Sequence, residues 1–470
     1  MFKCFFVFLW NNKHKRRNCL SKKRETLIFQ IKNNSLDYKT EIIAGITTFL
    51  SMAYIIVVNP YILSSTGMPL GALVTATCLT AGLATIFMGV FTNTPLALAA
   101  GMGINAFFAF SVVKGMNIPW EVALGAVFVE GIIFIILSLL RVREEIVNAI
   151  PVNLRYAITV GIGLFIAFIG FVNSEIIVKN DATLIGLGSL VNLKVFLTLL
   201  GIVSILVFEF KKFRGSILLS ICITTLLAWC YALFNREAAM KIGIRLPDGV
   251  LRYESVGPIF NKLKFSNVLN ENFWNFIFIV FILLFNDLFD TVGTLVGVAS
   301  KGDLLDDKGK IRDVNKILLV DAIATTFGAI MGVSPVTTYV ESSTGMAEGG
   351  KTGFTSVVTG TLFILSIFFA PLFIAVPSSA TSAALIYVGF FMCKEVKNID
   401  FSNMREAIPS FLILFLIPLT YSISSGIGIG IIFYVVISLL HSFITKERLE
   451  ISNTIILLFC IFVLKLMFSY

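Results

Sequence analysis

Two carboxylates sit inside long apolar stretches of this chain, each within a short polar motif. Asp290 lies in Phe289-Asp290-Thr291-Val292-Gly293-Thr294, and Glu341 lies in Val336-Thr337-Thr338-Tyr339-Val340-Glu341-Ser342-Ser343. A carboxylate at bilayer depth costs about 2.5–3.5 kcal/mol even on a lenient insertion scale, and such residues by default bind a substrate or an ion. The plain alternative for Asp290 is an ion pair that packs two helices. No Lys or Arg occurs between Lys264 and Lys301, so a basic partner must come from another segment. For Glu341 the alternative is a helix cap that accepts backbone N–H bonds near its own helix start. Asp287 stands three residues before Asp290, on roughly the same face of a helix. It is a second proton-coupling candidate or a structural hydrogen bonder.

Around these carboxylates lie an amide, an aromatic ring and a glycine. Asn105 either bonds a ligand or bridges helices. Tyr339 offers a ring face and a hydroxyl, and Gly101 marks a break where the backbone is open. Glu130 is read as an interhelical contact, and Asp321 as a packing carboxylate. Carboxylates accept hydrogen bonds, an amide both donates and accepts, and an aromatic ring stacks. Together they suit a planar heterocycle with N–H donors on its edges and repel an anion. A hard cation would want more oxygen ligands. A carboxylate withdrawn from water exchanges protons readily, so Asp287, Asp290 and Glu341 are the proton-coupling candidates.

The elements that must hold these residues are membrane spans. Of the 470 residues, 57% are hydrophobic and only 14% charged, and the mean hydropathy is +0.91. Soluble domains carry about 25% charged residues. An all-α polytopic membrane protein follows, because the apolar runs do not alternate in polarity as barrel strands do. The net charge of +9 reflects basic loops obeying the positive-inside rule, so nucleic acid is excluded as a partner. Seven Cys without ligand spacing and only His14 and His441 exclude a His-based metal site or triad, and no cofactor is expected. Neither Asp290 nor Asp321 has the setting of an intramembrane aspartyl protease, so an enzyme is not expected. The Gly161-x-Gly163 and Gly426-x-Gly428-x-Gly430 runs are read as close helix packing.

Apolar runs fall near 42–63, 71–92, 95–113, 118–140, 153–172, 191–210, 215–234, 272–298, 314–333, 335–347, 354–376, 378–395, 406–421 and 423–443, which makes fourteen. Basic residues in alternate loops place both ends of this set in the cytoplasm. Residues 1–40, with seven Lys or Arg between Lys13 and Arg24, read as a cytoplasmic tail. The apolar segment 452–469 is either an extra span or a surface helix. Ala84-Thr85-x-Phe87 is followed by Pro95, and Ala324-Thr325-x-Phe327 by Pro335, at a constant offset of 240 residues. Seven spans per half is odd, so the second copy enters the membrane inverted. Inverted repeats with sites at broken helices are a transporter device. Pro95 and Pro335 resist an upstream helix, so the chain after each is expected to run extended as a short strand. It should turn helical at Gly101 and at Glu341, presenting positive helix ends to the site.

The stretches Glu41-Ile-Ile-Ala-Gly-Ile-Thr-Thr-Phe-Leu-Ser-Met-Ala-Tyr-Ile, Gly101-Met-Gly-Ile-Asn-Ala-Phe-Phe, Leu288-Phe-Asp-Thr-Val-Gly-Thr-Leu and Val336-Thr-Thr-Tyr-Val-Glu-Ser resemble those of AzgA-like purine permeases. These form the adenine/guanine/hypoxanthine branch of the nucleobase–cation symporters. The resemblance runs from about residue 38 to the C-terminus. It implies a fourteen-span 7+7 inverted repeat with a core and a gate domain, with broken spans 3 and 10. The core would comprise 41–140 and 272–376, and the gate 141–234 and 377–445. Residues 235–271 would form an external loop and 446–470 a C-terminal apolar segment. It implies import of purine bases (hypoxanthine, guanine, adenine) across the cytoplasmic membrane by proton symport, the core carrying the base past the gate. By motif position Asn105, Asp290 and Glu341 match the family's purine-binding residues, and Tyr339 and Gly101 flank them. Phe107 stands where Tyr is frequent, and Asn286 where an apolar residue is. Expected partners are purine bases, protons and the bilayer, with a homodimer allowed. Within the same architecture, a uracil or xanthine permease or a sulfate-permease-like anion carrier is the alternative. A channel would not saturate or follow a proton gradient.

Overall fold

The computed structural model describes residues 37–139, 151–180, 183–213, 215–265, 273–299, 313–420 and 423–446, with short pieces between 451 and 463. The basic tail up to residue 36, the loops carrying Arg141 and Arg143 and Lys301 to Arg312, and the last residues of the 452–469 segment lie outside them.

The chain is helical with short strands inserted. Helix α1 (Tyr38–Met52) opens under an Asp37 cap, whose side chain accepts from the Lys39 N–H, and continues after a two-residue break into α2 (Ile55–Ser64). Helix α3 (Leu70–Thr92) ends at Asn93 in the left-handed conformation (φ 52°). Then come β1 (Leu98–Ala100), the short α4 (Met102–Ala106) and a π-helical segment, Phe107–Gly115. Helices α5 (Trp120–Leu139) and α6 (Val152–Asn173) follow, then a hairpin of β2 (Ile177–Asn180) and β3 (Leu184–Leu187), and α7 (Leu193–Phe210), α8 (Ser216–Phe234) and α9 (Arg236–Lys241). The second half repeats the order helix, helix, strand, short helix: α10 (Phe273–Ala299), α11 (Val314–Met331), β4 (Val336–Thr338) and α12 (Ser342–Ala347). Helices α13 (Gly353–Ser366), α14 (Ala370–Ile374), α15 (Ser378–Cys393), α16 (Met404–Leu419) and α17 (Ile423–Thr445) complete it. Among the described residues eight helices are long and apolar enough to cross a membrane, with α1 and α2 counted as one. The protein is a multi-pass membrane protein.

The β2–β3 hairpin was not foreseen. It falls in the connection between two apolar runs, and Asn180 Oδ1 accepts the Thr183 N–H at 3.2 Å to shape its turn.

The helices pack in two groups. In the first, α1, α3 and α13 lie together, as do α5, α10 and α11, with α3 against α11 and α1 against α12. In the second, α6 packs on α15 and α16, α16 on α17, and α7 and α8 on α15. Glycines set the closest approaches. An added Cβ on Gly82 would stand 2.8 Å from the Gly360 carbonyl oxygen between α3 and α13, and one on Gly163 would stand 2.8 Å from the Gly389 carbonyl oxygen between α6 and α15. Such small residues let helix backbones touch where lipid supplies no hydrophobic drive. Gly161 meets Ile413 and Ile417, and Gly426 meets Ile417, in the same packing role. The long loop before α10 is strapped onto the first group. The Thr75 hydroxyl donates to the Glu254 carbonyl (2.8 Å), the Asn261 N–H to the Ile330 carbonyl (2.7 Å) and the Lys264 N–H to the Glu121 carbonyl (3.1 Å).

Strands β1 and β4 join the halves at the centre of the first group. They pair antiparallel, with Leu98 opposite Thr338, Ala99 opposite Thr337 and Ala100 opposite Val336. Each strand is anchored by the threonine of the repeated Ala-Thr-x-Phe motif. The Thr85 hydroxyl accepts the Leu98 N–H at 2.9 Å and donates to the Leu98 carbonyl at 3.0 Å. The Thr325 hydroxyl does the same for Val336, at 3.2 and 2.9 Å. A strand of three residues inside a helical bundle leaves backbone groups that lipid cannot satisfy, and these hydroxyls satisfy them.

Candidate functional site

The strand pair brings the ends of two short helices together. Gly101 is the residue before α4, and Glu341 is the residue before α12, so helix starts at these positions as the glycine and the polar motif suggested. The Gly101 N–H donates to the Pro335 carbonyl at 3.0 Å, the Tyr339 N–H to the Ala97 carbonyl at 2.9 Å, and the Ala97 N–H to the Ser342 hydroxyl at 2.9 Å. The Tyr339 hydroxyl donates to the Ala100 carbonyl at 2.6 Å. Tyr339 is therefore a buried tie between the strands, with its hydroxyl committed to β1.

Asp290 reaches this junction from α10. The Thr337 hydroxyl lies 3.4 Å from its Oδ2, and a Cβ on Gly101 would stand 3.2 Å from the same oxygen. A side chain at 101 would crowd that carboxylate, so glycine keeps the approach open. Glu341 forms no capping bond to α12 with its side chain. Instead its Oε1 accepts from the Tyr54 hydroxyl at 2.8 Å. Both carboxylates are half-buried, and among the described residues neither is in an ion pair with Lys, Arg or His. The junction therefore carries acceptor character, with Asp290 and Glu341 both drawn to the β4–α12 unit.

Asn105 is placed differently. It is fully buried, its Nδ2 donates to Asn59 Oδ1 at 2.6 Å, and its Oδ1 accepts from the Ser334 hydroxyl. Asn59 in turn donates to the Thr77 hydroxyl at 2.8 Å. Both ends of the Asn105 amide are thus held by protein, bridging α4 to α2 and to the lead into β4. Asp287 is also fully buried, and its Oδ1 approaches Thr291 one turn on along the same helix. Thr291 Oγ1 lies 3.3 Å from Asp287 Oδ1 and 3.0 Å from Asp321 Oδ2. Its single proton serves one carboxylate at a time. Asp287 on α10 and Asp321 on α11 are thus both buried and share the Thr291 hydroxyl. Asn286 is buried, with no hydrogen-bond partner for its amide among the described residues. Phe107 is fully buried at the start of the π-helical segment.

Sequence reasoning missed Tyr54, Asn59, Ser334 and Thr337 as neighbours of the site. All four are uncharged residues, and their partners lie tens to hundreds of positions away. The nearest signal was the asparagine of Asn59-Pro60 inside an apolar run. The second helix group borders the junction through α6, since a Cβ on Gly103 would stand 2.7 Å from Ile162.

The Xan_ur_permease family model, described as a permease family, matches residues 39–429. The chain is 40% identical over 415 residues to the guanine/hypoxanthine permease PbuO of Bacillus subtilis, covering 87% of this chain and 94% of that protein. It is 38% identical over 441 residues to the adenine permease AdeP of Escherichia coli, covering 94% of this chain and 95% of that protein. Among solved structures, the transmembrane domain of a cyanobacterial bicarbonate transporter, BicA, is similar with a TM-score of 0.58 at 15% identity, covering 83% of this chain and 97% of that one. That likeness shows the fold. With a match along most of its length and relatives that are named permeases rather than enzymes, the chain belongs to the Xan_ur_permease family.

Proposed function

We propose that this protein imports purine nucleobases (hypoxanthine, guanine and adenine) across the cytoplasmic membrane by proton symport. The observation that carries this reading is the β1–β4 junction, where Asp290 and Glu341 stand half-buried beside Gly101 without a basic partner among the described residues. Two acceptor carboxylates suit the N–H edges of a purine. An anion of the kind carried by the bicarbonate transporter would be repelled by them, so the shared fold does not extend to that cargo. The permease names of the relatives point to the same substrate class.

The first helix group is the core, residues 41–140 and 272–376, and the second is the gate, 141–234 and 377–445. The matching Thr85 and Thr325 anchors and the matched strand–helix units support a fourteen-span inverted repeat built around broken spans 3 and 10. In an elevator movement the core carries the base past the gate, with Gly103 sliding along Ile162. Asp290 and Glu341 contact the base, Gly101 leaves it room, and Asn105 and Tyr339 hold the walls in place. Protons taken up with the base lower the cost of moving carboxylates across an apolar barrier; Asp287 remains a proton-coupling candidate behind them. The N-terminal tail lies in the cytoplasm.

Uptake of labelled hypoxanthine, guanine and adenine, with unlabelled competitors at several pH values, tests this. Concentrative, saturable uptake that grows with an inward proton gradient is expected. Uptake that neither saturates nor follows the gradient, or that competes only with uracil or sulfate, contradicts it.

A further inference from the structure

Tyr54 sits in the two-residue break between α1 and α2, a place no motif of the site assigns. Its ring is buried, at 2% exposure, and its hydroxyl donates to Glu341 Oε1 at 2.8 Å across 287 residues of sequence. One turn earlier on α1, the Ser51 hydroxyl meets the Thr344 hydroxyl at 3.1 Å. The end of α1 therefore grips α12 at two points, one of them the carboxylate itself. Glu341 makes no side-chain capping bond to α12, and the phenol is the side chain that holds its carboxylate.

A phenol has one proton to donate, while a carboxylate has two oxygens with about four acceptor positions. A bond from a hydroxyl to an ionised carboxylate is about twice as strong as a neutral one. Tyr54 thus occupies one acceptor position on Glu341 Oε1, and the carboxylate has further acceptor positions beyond that one. Fixing a long, rotatable Glu side chain in advance removes an ordering cost that a ligand would otherwise meet on binding.

We propose that Tyr54 is a positioning residue for Glu341, holding one carboxylate oxygen so that the other meets the N–H donors of the transported base. This rests on the purine reading above. The phenol never touches the base and selects for it only through Glu341. A base that offers an acceptor at that edge instead of a donor is disfavoured in consequence.

The test is Tyr54→Phe in the full chain, which keeps the ring and removes only the hydroxyl. KM for hypoxanthine should rise about tenfold, Vmax should stay within about twofold, and the melting temperature should fall by no more than a few degrees. In Tyr54→Phe/Glu341→Asp, KM should be no higher than in Glu341→Asp alone, because the hydroxyl acts through that carboxylate. A KM unmoved by Tyr54→Phe, or losses that multiply in the double variant, would overturn the assignment. A ligand-free readout stands beside these. The infrared carboxylate band that Glu341→Gln removes should shift in Tyr54→Phe, and an unshifted band also overturns it. Absence of saturable purine uptake in the wild type counts against the purine reading, and the infrared band then still decides the role of Tyr54.

Discussion

Replacing Asn105 with alanine separates a structural role from direct contact with substrate. Asn105, Asn59 and Ser334 are all fully buried, and Asn105 supplies the donor to Asn59 Oδ1 and the acceptor for the Ser334 hydroxyl. Asn105→Ala strands both groups, each at about 1–3 kcal/mol, for a total near 2–6 kcal/mol. Domains of 150–250 residues lose about 2–4 °C per kcal/mol, and scaling by length gives about 1–2 °C per kcal/mol here. The melting temperature of the purified protein should therefore fall by roughly 2–12 °C, followed in detergent by scanning fluorimetry. Asn59→Ala should weaken the same chain, and the double variant should lose less than the sum, because the bridge is already broken. Asp290→Asn and Glu341→Gln keep acceptor atoms on half-buried residues and should melt within about 2 °C of wild type, since most changes away from the core stay within about 0.5 kcal/mol. If Asn105→Ala melts like wild type yet no longer transports, the amide serves the substrate directly and the bridge is not its task.

Three further outcomes follow from the packing. Thr85→Val and Thr325→Val each remove a hydroxyl that serves both the N–H and the carbonyl of a strand residue; each should lower the melting temperature by several degrees, and a tolerated substitution in either half would contradict the matching anchors. Glu41→Ala removes a buried carboxylate that accepts from the Lys351 and Thr352 N–H groups at 3.1 and 3.4 Å; both it and the neutral Glu41→Gln should lower the melting temperature, and wild-type melting of Glu41→Gln would contradict a charge-assisted anchor of the α13 start. Gly82→Leu inserts a side chain where a Cβ already stands 2.8 Å from the Gly360 carbonyl oxygen; size-exclusion chromatography should show loss of the folded peak, and a wild-type profile would contradict the close α3–α13 contact.

The helix positions were legible because a span is a run of about twenty apolar residues, and the runs starting near 71, 118, 153 and 215 coincide with α3, α5, α6 and α8. The strand–helix units were legible for a different reason. Proline at 95 and 335 bars an upstream helix, and the matched Ala-Thr-x-Phe motifs place both at one offset. What a linear pattern does not carry is the partner of each polar group. The β1–β4 register, the Tyr54–Glu341 bond and the Asn59–Asn105–Ser334 bridge join positions 46 to 287 residues apart. Hydropathy gives a uniform signal across such contacts. Asp287 illustrates the limit. Its three-residue spacing from Asp290 is readable in one dimension, but its link through Thr291 to Asp321 on α11 is not. Gly101 and Glu341 were found because breaks and intramembrane carboxylates are visible in one dimension. Tyr54 was not, because an aromatic residue in an apolar run looks like packing.

Equilibrium binding of labelled hypoxanthine to the purified protein tests most directly whether Asp290 and Glu341 form the base-binding walls. Wild type should bind saturably, with adenine and guanine competing and uracil not. Asp290→Asn and Glu341→Gln should each weaken binding at least tenfold while keeping a wild-type melting temperature. Binding at wild-type affinity in both variants would place the site elsewhere and contradict the reading of the β1–β4 junction.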